Sequence, residues 1–247
     1  MKILLADKFP TFGIKALSEA GHRVDLKPEL TGDMLATAIG SSEILVVRST
    51  PVTSVAIETS QKLRLIIRAG AGTNTIDKEA AGRCNVRVCN VPGRNAAAVA
   101  ELVMGLLIAI DRRIPDNVSD LRAGRWDKKR YSGARGLFGR SLGIIGLGAI
   151  GLAVLERALG FGLNLHVIKK ADRSPKIQQK LTEMNVLSVP SLDSLINKCD
   201  VLSLHVPSVP ETRGMVNTEF LKKLHSGTIL INTSRGDLID ENALTQA

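Results

Sequence analysis

Short apolar segments recur along the first part of the chain, and each gives way to polar, glycine-containing sequence. These segments have the length of buried strands and occupy residues 2–6, 22–26, 43–48, 65–68 and 86–89. Between them, residues 11–20 and the segment that Thr31 opens carry apolar positions at helical spacing. Strands that alternate with helices over short connections predict βα units, and therefore a parallel sheet.

A longer apolar run predicts a single helix over residues 96–122, buried between two domains. Its charged residues, Glu101, Asp111 and Arg112, argue against a membrane span. After a polar connection, further strands follow at 142–145, 163–168, 185–188, 200–205 and 228–232. The pattern predicts an α/β protein of two Rossmann-like domains with parallel sheets, one over residues 1–95 and one over 96–247 that includes the long helix.

The composition agrees with two modest domains in 247 residues, with cores built from aliphatic side chains because only 3 % of the residues are aromatic. The start of the chain lacks the features of a signal peptide, and no apolar run approaches the ~18 residues of a membrane span. We therefore expect a cytoplasmic protein that does not enter membranes. Cys84, Cys89 and Cys199 lack metal-site spacing, which predicts reduced, buried or partly buried thiols and no metal site.

The net charge of +9 favours either a nucleic acid or small anionic molecules as partners. The basic residues are spread along the chain and are densest over residues 122–140. A substrate and a cofactor that both carry phosphate account for this charge, so we predict small-molecule partners and no nucleic acid.

A glycine motif, G-x-G-x-x-G, follows the apolar strand at 142–145 and opens an apolar helix. In this setting Gly146 allows a tight turn, Gly148 lets the backbone approach a pyrophosphate, and Gly151 permits close packing of helix on strand. The amide groups at the start of the helix then bind the anion. The alternative is a tight turn that binds no ligand.

The residue that selects between NAD and NADP is expected at the end of the next strand, where Lys169 and Lys170 stand. A carboxylate at this position would bind the ribose hydroxyls of NAD, and Asp172 comes three residues late. Cations fit a 2′-phosphate instead, so Lys169, Lys170 and Arg173 favour NADP. The alternative is that these are solvated lysines of a loop.

Several motifs in register resemble the D-2-hydroxyacid dehydrogenases: RAGAGTNTID at 68–77, NVPGRNAAAVAEL at 90–102, SLHVPSVPETRG at 203–214 and INTSRGDLID at 231–240. The resemblance covers nearly the whole chain, and over 68–146 it is strongest to the phosphoglycerate dehydrogenase branch. It implies hydride transfer between NAD or NADP and a 2-hydroxy or 2-keto acid, most of all 3-phosphoglycerate in serine biosynthesis. It also implies that residues 1–95 form a flavodoxin-like, substrate-binding lid domain, and that the complete protein is a homodimer or a higher homo-oligomer.

Position by position, the resemblance assigns Arg235 as the catalytic arginine that binds the substrate carboxylate and polarises its carbonyl. The positions that it assigns to substrate contacts are Arg48, Ser49, Gly70, Ala71, Gly72 and Asn95. Those that it assigns to the cofactor, besides the glycine motif, the lysine pair and Arg235, are Ala149, Ile150, His205, Val206, Pro207, Thr212, Thr233 and Ser234. His205 thereby lines the cofactor and is not the proton donor.

The family continues beyond the segment that Asp240 opens, and there it carries a catalytic Glu and a proton-donating His that this sequence lacks. We therefore expect a nucleotide-binding domain that is incomplete at its C-terminus, and a chain that is inactive as written. A fragment accounts for this better than an incomplete gene product or a pseudoenzyme. The alternative function is that of a non-catalytic NAD(P)-binding protein of the same family, such as a corepressor.

Overall fold

Two five-stranded sheets, each with all of its strands parallel, form the framework of the protein. The structure is a computed structural model that describes residues 1–247. These residues divide into two units, Met1–Asn95 and Ala96–Ala247. The α/β fold with two parallel sheets, predicted from the sequence, is confirmed.

The first unit alternates strands and short helices. Its strands are β1 (Lys2–Leu5), β2 (Arg23–Leu26), β3 (Ile44–Val47), β4 (Leu65–Arg68) and β5 (Arg87–Asn90). Its helices are α1 (Thr11–Glu19), α2 (Gly32–Ala38), α3 (Ser54–Glu58) and α4 (Lys78–Arg83). The strand order β2-β1-β3-β4-β5 reverses between β1 and β3, and sheets of this kind bind ligands at the carboxyl ends of the strands beside the reversal.

The second unit begins with two helices, α5 (Ala96–Asp111) and α6 (Ile114–Arg122). Its strands are β6 (Ser141–Ile145), β7 (Asn164–Ile168), β8 (Leu187–Val189), β9 (Val201–Leu204) and β10 (Ile229–Asn232). The other helices are α7 (Ala149–Leu159), α8 (Pro175–Glu183), α9 (Leu192–Lys198), α10 (Thr218–Lys222) and α11 (Glu241–Thr245), with a 3-10 turn at Gly236–Leu238. The order β10-β9-β6-β7-β8 reverses between β6 and β9, as in dinucleotide-binding sheets.

Both faces of each sheet are buried. On β1, Leu4 belongs to a core on one face, whereas Ile3 and Leu5 belong to a core on the other. On β6, Ile144 and Ile145 divide between two cores in the same way. Burial on both faces requires apolar residues at successive positions, which is why inner strands such as β1, β3 and β6 are nearly continuous apolar runs. The outer strands β2, β5 and β8 are more exposed.

The single helix predicted over residues 96–122 is wrong, because the structure has α5 and α6 there. Arg113 separates them in the left-handed conformation, with a φ of 51°, through which a right-handed helix cannot continue. Pro115 stands in the first turn of α6, where its missing N–H leaves no helical hydrogen bond unmade. The apolar periodicity continues past this break, so it could not reveal the boundary.

Helix α5 is buried along one face and not throughout, which corrects the predicted burial. Its buried residues recur at helical spacing and are Ala96, Ala100, Val103, Met104 and Leu107. Its exposed large apolar residues are Leu102, Leu106 and Ile110. The uniformly apolar sequence therefore belongs to a two-sided helix that packs on α7 within the second unit.

Two short helices of the first unit, α3 and α4, were not predicted from the apolar pattern. Each begins with a side chain that caps it: Thr53 accepts a hydrogen bond from the Ala56 N–H, and Asp77 accepts one from the Ala80 N–H. Helices this short span too few turns for an apolar period to become visible, so only their caps could have indicated them.

The cysteines differ from expectation in their exposure. Cys84 and Cys89 are exposed, whereas Cys199 is buried, and burial raises the pKa of its thiol to about 12. No group of three or more His, Cys, Asp or Glu side chains is arranged to hold a metal ion. None of the helices combines the length and the apolar character that crossing a membrane would require.

Candidate nucleotide and substrate sites

Gly146 closes the turn between β6 and α7, and the space around it excludes any side chain. Its φ is 101°, and a Cβ atom on it would lie 2.5 Å from the carbonyl carbon of His205 and 2.6 Å from the amide nitrogen of Val206. The carboxyl ends of β6 and β9 therefore meet through this glycine. At Gly151 a Cβ atom would collide with the carbonyl oxygen of Gly146, so α7 packs close to the turn only because both residues are glycines.

Gly148, which precedes α7, differs from these two glycines. Its φ of −97° is available to any residue, and a Cβ atom on it would meet no protein atom within 4 Å. No side chain caps the first amide groups of α7, which begins with the exposed Ala149 and the half-buried Ile150. Open space beside uncapped amides at a helix N-terminus is a setting that accepts a phosphate anion.

The end of β7 presents two exposed lysines, Lys169 and Lys170, as the sequence places them. The Lys169 N–H is fixed by the Val189 carbonyl at 2.7 Å, so the backbone here still belongs to the sheet edge. Arg173 turns back and donates a hydrogen bond to the Ile168 carbonyl. The structure thus separates the lysine pair, which faces solvent, from Arg173, which stabilises the end of the strand.

His205, directly after β9, is held in its neutral form. Burial lowers the pKa of its imidazole to about 4, so the ring carries no charge at pH 7. Its Nε2 lies 2.8 Å from Ser203 Oγ, and its buried Nδ1 has no hydrogen-bond partner. A neutral ring with one unused polar atom is suited to line a ligand and not to donate a proton at neutral pH.

The predicted cofactor wall at Val206, Pro207 and Thr212 forms one loop after His205. Thr212 Oγ1 donates to the Pro207 carbonyl at 2.6 Å and accepts from the Val209 N–H at 3.0 Å. The hydroxyl of Thr212 therefore holds the loop closed, and Val206 is half-buried at its base.

The segment after β10 carries Arg235, and the side chains before it hold its backbone. Asn232 Nδ2 donates to the Arg235 carbonyl at 2.7 Å, and Ser234 Oγ donates to the Leu204 carbonyl at 2.7 Å. The guanidinium Nη1 of Arg235 donates to the Ser234 carbonyl at 2.7 Å. Thr233 Oγ1 is buried and has no hydrogen-bond partner. Arg235 thus stands at the carboxyl edge of the sheet on a firmly held turn.

These features fit a nicotinamide dinucleotide. The uncapped amides of α7 suit its pyrophosphate, and the empty Cβ position of Gly148 leaves room for the backbone to approach it. His205 Nδ1 and Thr233 Oγ1 are two buried polar atoms for which the protein supplies no partner, so a ligand can satisfy both. The residues that could hold the cofactor therefore lie together at the carboxyl ends of β6, β9 and β10.

In the first unit, Arg48 and Ser49 directly follow β3, beside the reversal of the sheet. Both are exposed, while the neighbouring Thr50 is buried. The backbone N–H groups of these residues converge on one carboxylate oxygen of Asp7, which follows β1. The two predicted substrate contacts therefore share a backbone segment, and Asp7 holds that segment in place. The sequence did not single out Asp7.

Gly70, Ala71 and Gly72 follow β4 and form the next loop of the same edge. Asn90, the last residue of β5, donates from Nδ2 to the Ala71 carbonyl at 2.6 Å. The guanidinium of Arg68 occupies the place that a Cβ atom of Gly70 would take. Asn95, the remaining predicted contact, is exposed at the end of the unit.

Three residues that position these loops, Asp7, Asn90 and Asn232, escaped the sequence reasoning. Each is a polar residue that ends a parallel strand or follows its end. A search for polar side chains at the carboxyl ends of predicted strands would have found them.

Comparison with known proteins gives a consistent result. Residues 104–247 match the model of the D-isomer specific 2-hydroxyacid dehydrogenase NAD binding domain. The chain is 40 % identical to D-3-phosphoglycerate dehydrogenase of Methanocaldococcus jannaschii, over 100 % of this chain and 46 % of that protein. It is 39 % identical to hydroxypyruvate reductase of Thermotoga maritima, over 87 % of this chain and 68 % of that protein. The chain therefore spans less than half the length of the first relative.

Among solved structures, an acyclic imino acid reductase in complex with NADPH and D-Arg aligns over 100 % of this chain and 78 % of its own, with a TM-score of 0.86 and 28 % identity. The cofactor of proteins with this nucleotide-binding domain is NAD or NADP. The matched domain contains the whole glycine turn and the Arg235 segment, which are the features that the geometry singles out. On these grounds the chain belongs to the family of D-isomer-specific 2-hydroxyacid dehydrogenases.

Proposed function

We propose that the protein oxidises or reduces a 2-hydroxy or 2-keto acid with NAD(P), and that its substrate is 3-phosphoglycerate. One observation carries the proposal: the uncapped N-terminus of α7 and the held turn of Arg235 occupy the same carboxyl edge of one sheet. The first is a place for a dinucleotide and the second for an anionic substrate.

Binding of the substrate and lining of the cofactor fall to residues with the right properties. Arg235 binds the substrate carboxylate through its fork of donors and stabilises the charge that develops on the oxygen at C2. A bound NAD(P)⁺ would supply the acceptor for the hydride from C2, and the proton of the C2 hydroxyl would pass to solvent as the hydroxy acid becomes a keto acid. His205 and Thr233 line the cofactor, because each has a buried polar atom without a partner in the protein.

The choice of 3-phosphoglycerate rests on the first unit and on the relatives. Arg48 and Ser49 offer a guanidinium and a hydroxyl on an exposed segment, which suits a phosphate group. The Gly70 N–H donates to the Arg68 carbonyl at 2.8 Å, which leaves the backbone N–H groups of Ala71 and Gly72 to bind a carboxylate. The relative with 40 % identity is a D-3-phosphoglycerate dehydrogenase, and that with 39 % identity is a hydroxypyruvate reductase. Their names leave a phosphorylated and an unphosphorylated substrate as the two choices.

The test is a steady-state assay that oxidises 3-phosphoglycerate, glycerate or D-lactate with NAD⁺ or NADP⁺, after titration of the protein with NADH and NADPH to measure binding. A kcat/KM that is highest for 3-phosphoglycerate supports the proposal. A higher kcat/KM for glycerate would support the proposed reaction but show that 3-phosphoglycerate is not the preferred substrate. Failure to bind either nucleotide would contradict the site itself.

Binding of NAD(P) without turnover is the second candidate function, and the state of the histidines favours it. His205 is the histidine at the carboxyl edge of the second sheet, and its low pKa leaves it neutral. His166 lies buried within β7, where burial also lowers its pKa. The second candidate predicts tight nucleotide binding and no oxidation of any 2-hydroxy acid in the same assay.

A further inference from the structure

Asp7 follows β1 at the point where the strand order of the first sheet reverses. Its Oδ2 accepts three backbone N–H groups from the segment after β3: that of Arg48 at 2.6 Å, that of Ser49 at 3.1 Å and that of Thr50 at 3.3 Å. Residues 41 or more positions apart in the sequence are thereby joined across the neighbouring strands β1 and β3. One oxygen that accepts three converging amides is an anion site filled by the protein's own carboxylate.

The charge of Asp7 is stable under ordinary conditions. Burial by itself raises the pKa of the carboxyl, but the N–H groups of Arg48, Ser49 and Thr50 outweigh it and hold the pKa below its usual value. The carboxylate is therefore ionised at neutral pH, and its hydrogen bonds are charge-assisted, which makes them roughly twice as strong as neutral ones.

We propose that Asp7 is a positioning residue for substrate binding, which fixes the backbone of Arg48–Thr50 so that the exposed side chains of Arg48 and Ser49 meet an anionic substrate in a preset arrangement. This rests on the proposed function, which makes Arg48 and Ser49 substrate contacts. Fixing the segment before binding removes an ordering cost that the ligand would otherwise have to offset.

Direct contact between Asp7 and the substrate is a poor alternative. A carboxylate repels the carboxylate and phosphate groups of the substrate class, and the lone pairs of Oδ2 already face three donors. Asp7 therefore acts through the segment that it holds.

The segment has a second anchor, which allows the role of Asp7 to be tested without loss of the fold. Thr50 is buried, and its hydroxyl lies 3.2 Å from the Ala6 carbonyl and 3.4 Å from the Leu30 carbonyl. Substitution of Asp7 consequently loosens Arg48 and Ser49 while Thr50 keeps the segment attached to the sheet.

The experiment measures the Kd of 3-phosphoglycerate and of NADH by calorimetry for the unaltered protein, Asp7→Asn and Asp7→Ala. We expect the Kd of 3-phosphoglycerate to rise about tenfold in Asp7→Asn and further in Asp7→Ala, because the charge-assisted bonds are weakened and then lost. The Kd of NADH should stay unchanged, since the nucleotide site lies in the other unit. In turnover the same variants should raise KM and leave kcat near its original value.

Two results would overturn the inference. If loss of the negative charge were the main effect, Asp7→Asn would bind the anionic substrate more tightly, and an unchanged Kd would show that the segment needs no fixing. A matched control is Glu43→Gln, which weakens a similar bond at the opposite edge of the sheet, where Glu43 accepts the Lys2 N–H at 3.0 Å. An equal rise in Kd for this control would reveal a general loss of stability and contradict a specific role.

Amide hydrogen exchange separates this inference from the proposed function. If the unaltered protein binds no 3-phosphoglycerate, the proposed function fails, yet the exchange of the Arg48, Ser49 and Thr50 amides still reports on Asp7. Faster exchange confined to these amides in Asp7→Asn supports the positioning role. Unchanged exchange there overturns it, whatever the substrate.

Discussion

The side chain of Asn232 spans the turn to Arg235, with Nδ2 bonded to the Arg235 carbonyl at 2.7 Å and Oδ1 accepting the Ser234 N–H at 3.0 Å. Asn232→Ala removes both bonds, each worth about 1 kcal/mol net. We expect kcat/KM for the 2-hydroxy acid to fall about tenfold or more, because the guanidinium loses its fixed position. Steady-state kinetics measure the loss, and a thermal melt checks that the fold persists.

Asn232→Asp is the matched control for this prediction. A carboxylate still accepts the Ser234 N–H but cannot donate to the Arg235 carbonyl. If both variants are less active than the unaltered protein, the loss comes from the bond that Asn232 donates to the Arg235 carbonyl. Full activity in Asn232→Ala would show that the turn holds Arg235 without help from this side chain.

The preference for NADP is tested at Lys169 and Lys170. We expect NADPH to bind at least as tightly as NADH, because both exposed cations stand where the cofactor's 2′-substituent is expected. Lys169→Asp should shift the balance toward NADH by about 1–3 kcal/mol, the scale of a charge-assisted hydrogen bond. The Kd values of 2′,5′-ADP and 5′-AMP, compared by titration, give the effect of the 2′-phosphate on affinity without any turnover.

Lys222→Asp, on the exposed face of α10, makes the same change of net charge away from this strand end. It should leave the ratio of the two affinities unaltered. A clear preference for NADH in the unaltered protein would refute the assignment of the lysine pair.

Substitutions at the turn glycines should affect nucleotide binding at Gly148 and the stability of the fold at Gly146. Gly148→Val should abolish nucleotide binding, because a branched side chain would stand where the pyrophosphate is expected. Gly148→Ala should leave the melting temperature nearly unchanged, because a Cβ atom there meets no protein atom. Gly146→Ala should lower the melting temperature sharply, because its Cβ atom would collide with the backbone at His205. Calorimetry and a thermal melt measure the two effects, and unchanged nucleotide affinity in Gly148→Val would show that the cofactor binds elsewhere.

The buried ring of His205 predicts a pH dependence of stability. In the unfolded chain the imidazole titrates near 6.5, whereas in the folded protein its pKa is about 4. Below pH 6.5 the unfolded state therefore binds a proton that the folded state lacks, and the free energy of unfolding falls as the pH drops from 6.5 to 4. The full effect is about 3 kcal/mol from this group. Denaturant unfolding gives the free energy of unfolding at each pH. Between pH 6.5 and 4 this free energy should fall more steeply for the unaltered protein than for His205→Gln. Equal dependence on pH in the two proteins would contradict the prediction.

The sequence predicts the inner strands well, because burial on both faces imposes apolar residues at successive positions, as along β3. It fails where the same apolar character hides a boundary. The left-handed Arg113 breaks the helix inside a continuous apolar period, so only Pro115 could have signalled a new start. The capped helix α3 is too short to show a period at all.

The glycine turn and the segment of Arg235 can be proposed as ligand sites from the sequence because the residues of each are contiguous. The residues that hold the sites in place are not contiguous with them, as with Asp7, which lies 41 positions before the nearest amide that it binds. Such pairings follow from strand order, which the local pattern does not contain. Local sequence thus indicates the proposed ligand contacts, and the order of the strands brings the residues that support them into place.

Selection for the fold and selection for nucleotide binding act on different glycines of the turn after β6. A lineage that kept only the fold would retain Gly146 and Gly151, since a methyl group at either position collides with backbone. The same lineage could substitute Gly148 without harm to the fold, because a methyl group there contacts no protein atom. If Gly148 faces a nucleotide as proposed, its retention among descendants would record continued use of that nucleotide, whereas retention of Gly146 would record only that the protein still folds.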